Sequence, residues 1–314
     1  MEFINRNLVS SSSSPPPWYR PDADLADVLP PETRQLLQEQ TGLDDTALMA
    51  HIVEIRHKAW SYGQYPTIGG FRFLRPILCK HPFFPTLCSK LENGGSLLEL
   101  GPGLGQDLEY LRARGAPSAR MYAVDCRPEL WELGRRLFNR SSKQEKEGPH
   151  FVPADLVGSK WAEKFLEAHG PVDMILANQF FDTISDEYSV SMLRWLRPLL
   201  KPGAVVVGYH IGADEPFESQ GVFYHNRTSW WCSWQALRTS NWQPDMQMEV
   251  QMYEKVGLNE WGLQPSEWQW IADRVNHFGR VWVVRSQVIW SKVTTWKDSH
   301  MRGLYHGECA WNGH

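Results

Sequence analysis

Five short apolar runs alternate with helical patterns between residues 96 and 210, and no other feature constrains the fold as much. The runs are SLLEL (96–100), RMYAVD (120–125), HFVPAD (150–155), VDMILAN (172–178) and GAVVVGYH (203–210). Between them, helices are predicted at about 105–114, at 128–138 where Pro128 opens PELWELGRRLF, and at about 186–199. Strands separated by helices pair in parallel, with the helices covering both faces of the sheet. Two later runs, MQMEVQMYEKV (246–256) and RVWVVRSQVIW (280–290), read as long strands. The segment between them has room for a short helix, and TSWWCSWQALRTS (228–240) reads as a helix before them. The expected fold is therefore α/β: a Rossmann-like, seven-stranded, mostly parallel sheet with helices on both faces and an antiparallel member.

The chain in front of this sheet has a different character. SSSSPPP and a weak apolar pattern mark residues 1–30 as a flexible tail. From Pro31, PPETRQLLQEQTG and DDTALMAHIVEIRHKAW read as two helices, the first closed by Gly42. An aromatic, proline-broken stretch follows. Residues 31–92 are expected to form a helical cap, or substrate lid, over the main domain at 93–290, with a tail at 291–314.

The bulk composition excludes little but orders the options. A net charge of −4 gives no general attraction for nucleic acid. No apolar run has the ~18 residues of a membrane span, and the N-terminus lacks the apolar core of a signal peptide. The five cysteines, Cys79, Cys88, Cys126, Cys232 and Cys309, show no CxxC spacing, so reduced thiols, a cytoplasmic location and no bound metal are expected. An aromatic-rich cap is a surface on which a second copy would form a homodimer. Sixteen tryptophans serve mostly for packing, and some suit a pocket for a bulky apolar ligand.

The first strand runs into Gly101-Pro102-Gly103-Leu104-Gly105, with Glu99 before it and Asp107 after it. A dinucleotide loop usually reads GxGxxG and presents backbone N–H groups to a pyrophosphate. Here the third glycine comes one residue early, and the two acids would repel a pyrophosphate. They suit a cationic ligand carrying an amino group, such as the methionine part of S-adenosylmethionine (SAM). Asp125, ending the second strand, is placed to accept from both ribose hydroxyls. Asp155, after the third, is placed to accept from an adenine amino group. Asn178 and Gln179 follow the fourth, facing the cofactor. Each acid taken alone is explained equally well as a helix cap or turn residue. Their joint position at successive strand ends is where ligands of open parallel sheets bind.

With these residues in view, the run from Leu97 to Gly208 resembles a class I SAM-dependent methyltransferase. EIRHKAW (54–60), YPTIGGFRFL (65–74), GQDLEYLRARGAPS (105–118), WELGRRLF (131–138), EWGL (260–263) and RVWVVR (280–285) are similar, more narrowly, to fungal methyltransferases of meroterpenoid biosynthesis. The resemblance covers roughly residues 45–290. It implies O-methylation of a small, largely apolar secondary metabolite, often on a carboxylic acid. It also implies SAM contacts at Gly101, Gly103 and Gly105, at Asp125 with Cys126, and at Ala154 with Asp155. The chain departs from the family in carrying Pro102 and Leu104 where cysteines are common, and His210 where glutamine is common.

Methyl transfer is an in-line displacement, so holding the reactants collinear and dry supplies most of the catalysis. A carboxylate acceptor is already ionised at neutral pH and needs a positioning cation. Arg72, flanked by aromatics in GGFRFL, is the preferred candidate; Arg56 and Lys58 are weaker ones, with Tyr62 and Tyr65 nearby. A hydroxyl acceptor needs a base, for which His210, after the fifth strand, and His225 are the candidates. Each of these residues also has a plain structural reading, as a surface charge or a packed histidine. NQFFDT after the fourth strand is unlike the motif of base N-methylation. Three further readings remain: a SAM-binding cyclase or isomerase that transfers no methyl, a non-catalytic binding protein on the same fold, and a nicotinamide-dependent oxidoreductase.

Overall fold

The computed structural model describes residues 19–21, 24–81, 83–156, 158, 160–219, 222–236, 246–253 and 281–290. Its helices are α1 (Leu25–Val28), α2 (Pro31–Thr41), α3 (Asp45–Tyr62), α4 (Pro66–Gly69), α5 (Phe84–Glu92), α6 (Gln106–Ala113), α7 (Pro128–Leu137), α8 (Ser142–Lys146), α9 (Lys160–His169), α10 (Asp186–Leu196) and α11 (Arg227–Gln235). Its strands are β1 (Leu97–Leu100), β2 (Met121–Asp125), β3 (His150–Pro153), β4 (Val172–Asn178), β5 (Leu200–Ala213), β6 (Phe217–Ser219), β7 (Val222–Tyr224), β8 (Met246–Tyr253) and β9 (Val281–Trp290).

Seven strands form one sheet in the order β3-β2-β1-β4-β5-β9-β8. The parallel ladder comprises five of them, β1 to β5, and β9 pairs antiparallel with both β5 and β8. The order reverses at β1, which lies between β2 and β4. That is the switch point at which open parallel sheets bind ligands.

Side-chain alternation divides the sheet into two covered faces. Leu97, Met121, Ala123, Met174, Leu176, Val205 and Val207 pack with Leu87 and Leu91 of α5, Leu108 and Leu111 of α6, and Trp131 of α7. Leu98, Leu100, Val124, Ile175, Ala177 and Val206 pack on the other face, with α9, α10 and α11. The period of two between faces is what a strand buried on both sides requires. The expectation of helices on both faces holds.

The cap packs as a third cluster. Leu37 of α2, Leu48, Ile52 and Ile55 of α3, and Phe71, Phe73 and Leu74 bury against Leu130, Leu133 and Leu137 of α7 and against Leu104. Gly134 lets α7 come close: a Cβ there would lie 1.9 Å from the Leu104 carbonyl oxygen. Asp44 caps α3 by accepting from the Ala47 N–H at 2.9 Å.

Several expectations need correction. Residues before Pro31 already take part in the fold: Val28 and Leu29 are buried, and Arg56 binds Tyr19 and Arg20. The helix α9 was not anticipated, although Trp161, Ala162 and Phe165 in KWAEKFLEAH carry helical spacing and are all buried. The β6–β7 hairpin was not anticipated either; its strands have three residues each, too few to show a period. Cys79, Cys88 and Cys126 are reduced, but Cys232 is disulfide-bonded, against the expectation of uniformly reduced cysteines. EWGL at 260–263, the short helix expected before β9, and the tail at 291–314 lie outside the described residues.

Candidate cofactor and acceptor site

The glycine loop joins β1 to α6 and is walled on most sides. Gly101, Gly103 and Gly105 all have positive φ, at 63°, 56° and 74°. Phe180 lies against Gly101 and Trp131 against Gly105, while Leu104 is buried in the cap cluster. Of the three, only Gly103 faces open space among the described residues, none of which lies within 4 Å of where its Cβ would be. Its backbone can therefore approach a ligand closely, and a left-handed φ suits no larger side chain there.

Three carboxyl groups converge beside that opening. Glu99 is 3% exposed, and its Oε2 has no hydrogen-bond partner among the described residues. Asp107 accepts from the Leu78 N–H at 3.0 Å and from the Asn178 side-chain amide at 2.9 Å. Asp125 accepts from the Gly103 N–H at 3.2 Å and the Arg127 N–H at 2.9 Å. Burial pushes Glu99 well above the usual carboxylate range, and the charges of Asp107 and Asp125 add to it. Burial also raises Asp107 and Asp125, and their hydrogen bonds oppose the rise. An orphaned buried carboxyl next to two others is costly without a cation. This set of acceptors therefore fits a positively charged ligand with an amino group.

The neighbouring strand ends complete the rim. Ala154, after β3, donates its N–H to the Asp125 carbonyl at 2.9 Å, which brings half-buried Asp155 to this end of the sheet. Cys126 is exposed beside Asp125. Gln179 has a left-handed backbone (φ 50°), donates its N–H to the Tyr209 carbonyl at 2.7 Å and accepts from the Tyr209 hydroxyl at 3.0 Å. A left-handed non-glycine residue is strained, and such strain clusters at functional sites.

Register separates two groups that the sequence had placed together. Glu99 pairs with Ala123 and Leu176, Leu176 with Val207, and Asn178 with Tyr209, so all of these share the α5–α6–α7 face. His210, next to Tyr209, points to the opposite face. There it packs against Trp230, with ring centroids 4.6 Å apart, and against Phe181 and His225 at 6.4 and 5.7 Å. Both histidines are fully buried, and burial holds their pKa values down, that of His225 to about 3. Tyr209 is the residue that sequence reading missed. It alternates with His210, and the register of β5 against β4 shows which of the two faces the carboxylates.

In the cap, Arg56 is engaged in structure. It donates to the Tyr19 hydroxyl at 2.7 Å and to the Arg20 carbonyl, and stacks on Tyr19 at 4.0 Å and Phe71 at 5.0 Å. Lys58 is exposed and paired with Glu54. Arg72 is 4% exposed between Phe71 and Phe73, in the part of the cap that packs on Leu104. No helix among the described residues is long and apolar enough to cross a membrane.

Residues 72–274 match the family model of a methyltransferase domain, and residues 18–74 that of a meroterpenoid methyltransferase N-terminal domain. O-methyltransferase atr3 of Stereocaulon alpinum is 30% identical over 247 residues, which are 74% of this chain and 69% of that protein. The asnovolin E/chermesin D methyltransferase nvfJ of Aspergillus novofumigatus is 26% identical over 236 residues, 73% of this chain and 80% of that protein. Among solved structures, phosphoethanolamine N-methyltransferase 2 of Haemonchus contortus aligns with a TM-score of 0.44 at 12% identity, covering 83% of this chain and 60% of that one. The chain belongs to the methyltransferase family: it is a SAM-dependent methyltransferase whose relatives serve fungal secondary metabolism.

Proposed function

We infer that this enzyme O-methylates a small, largely apolar terpenoid or meroterpenoid acid, giving a methyl ester. SAM, when bound, supplies a methyl group activated by its sulfonium. Glu99 and Asp107 would hold the amino-acid end beside Gly101, Gly103 and Gly105. Asp125 and Cys126 would hold the ribose, and Ala154 and Asp155 the adenine. Asn178 is turned to Asp107, so it frames the pocket, and Gln179 on its strained backbone is left to face the methyl position.

The observation that favours an acid over a hydroxyl is the separation of His210 and His225 from the carboxylate face. A base must lie within hydrogen-bond reach of its proton, with a pKa near the working pH. Both histidines lie buried on the other face with pKa values held down, which weighs against hydroxyl methylation with His210 or His225 as base. An ionised carboxylate needs no base, only desolvation and a donor. Arg72, buried between Phe71 and Phe73 of the cap, is the cation assigned to it, and the Gln179 amide the neutral donor. A small-molecule acceptor and no nucleic-acid partner follow from the same reading.

Incubation with a carboxylic terpenoid and SAM carrying a labelled methyl group tests this. The product should be heavier by one methylene and revert to the acid on alkaline hydrolysis. A labelled product that resists alkali would contradict the ester. A product of unchanged mass with SAM unconsumed would instead support a cyclase or isomerase.

A further inference from the structure

Tyr209 of β5 holds Gln179 twice. The Gln179 N–H donates to the Tyr209 carbonyl at 2.7 Å, and the Tyr209 hydroxyl donates to the Gln179 side-chain oxygen, Oε1, at 3.0 Å. Two bonds to one partner keep a left-handed backbone (φ 50°) that glutamine otherwise avoids. Gly208 lets the two strands come close here: a Cβ there would lie 2.2 Å from the Ala177 carbonyl oxygen. Tyr209 is 4% exposed, whereas Gln179 is only half-buried. The next residue, Phe180, lies against Gly101, so the turn at Gln179 adjoins the glycine loop. The two amides at the end of β4 are thus disposed differently. Asn178 gives its N–H to Asp107 at 2.9 Å. Gln179 has its oxygen occupied by Tyr209, and its Nε2 has no hydrogen-bond partner among the described residues.

We propose that Tyr209 is a positioning residue for the acceptor: by occupying Oε1 it leaves the N–H end of the Gln179 amide for the ligand, so that this amide donates, does not accept, and selects an ionised acid. The proposal deepens the acid reading above and rests on it. A carboxylate oxygen forms the new bond to the methyl carbon as the carbon–sulfur bond breaks. The electron pair of that bond leaves with sulfur, and no proton is released. The other carboxylate oxygen accepts from Gln179 Nε2. A hydroxyl acceptor would have to lose a proton, and an amide N–H cannot take one. An amide not fixed by Tyr209 could turn its oxygen to the ligand, and would then repel a carboxylate.

Steady-state kinetics of the full chain with SAM and a set of terpenoid carboxylic acids test this, with the primary amide of each methylated acid as a competitive inhibitor. The wild type should bind the acid more tightly than its amide. Tyr209→Phe should raise the KM of the acid about fivefold, the loss of one hydrogen bond, and leave the Ki of the amide within about twofold. Its affinity for S-adenosylhomocysteine should be that of the wild type. A merely structural role would move KM and Ki alike. Gln179→Glu keeps an oxygen for Tyr209 and turns a second one to the ligand. At neutral pH it should therefore invert the preference and bind the amide more tightly than the acid, a test that stands even if Tyr209→Phe does not fold. An unchanged KM in Tyr209→Phe, or an equal loss for acid and amide, overturns this proposal and leaves the acid reading standing. A Gln179→Glu enzyme that still prefers the acid does the same. A wild type that methylates none of the acids overturns the acid reading and this proposal with it.

Discussion

The Asn178 side-chain amide donates to the Asp107 carboxylate across 2.9 Å, tying the end of β4 to the first turn of α6. The other Asp107 oxygen takes the Leu78 N–H, so one carboxylate joins the cap connection, the glycine-loop helix and the fourth strand. Asp107→Ala would leave two donors without partners in a buried place, each costing about 1–3 kcal/mol. The loss on chemical denaturation should be about 2–4 kcal/mol, offset in part by removal of a buried charge. A variant as stable as the wild type would refute the stitch.

Gly134 offers a sign test. Gly→Ala inside a helix ordinarily stabilises by roughly 0.5–1 kcal/mol. Here the new methyl would meet the Leu104 carbonyl at 1.9 Å. Gly134→Ala should therefore destabilise by about 1–3 kcal/mol, as overpacking does, and should weaken cofactor binding by moving the loop. A rise in melting temperature would contradict the close approach.

His225 should make the fold acid-sensitive. Its folded pKa is held to about 3 from an ordinary 6.5. A depressed histidine contributes stability that is present above the unfolded value and lost as pH falls below it. Between about pH 7.5 and pH 5 the loss is about 2 kcal/mol. His225→Gln should flatten the pH dependence of unfolding by that amount. An unaltered slope would mean that the ring titrates normally.

Glu99 should act in the other direction. Its folded pKa is raised, so its contribution is complete below the unfolded value of about 4.5 and is lost as pH rises through the folded one. Glu99→Gln, which mimics the protonated acid, should stabilise the ligand-free enzyme at neutral pH and weaken SAM binding. That is the trade expected where a site is kept strained for its ligand. Lower ligand-free stability with normal SAM affinity would show that Glu99 serves the fold alone.

Much of this was legible in the sequence because the relevant signals are local. Five apolar runs with intervening helices defined the parallel ladder, and Glu99, Asp107 and Asp125 were visible from their spacing around the glycines. What was not legible depends on facing. His210 and Tyr209 are adjacent in sequence and fall on opposite sides of the sheet, and parity is settled only by the register of β5 against β4. Arg56 and Arg72 look alike in the cap, yet Tyr19 and Arg20, 37 and 36 residues away in the chain, claim Arg56. Gly134 and Gly208 are unremarkable as letters and matter only through what lies against them.

Asp125 joins the glycine loop, the end of β2 and the proposed ribose site. Calorimetric titration of SAM into the wild type and Asp125→Ala tests it most directly. The wild type should bind one equivalent, and the variant should lose at least about tenfold in affinity, as when a bidentate acceptor is removed from a buried site. Equal binding by the two proteins, or no binding by the wild type, would contradict it.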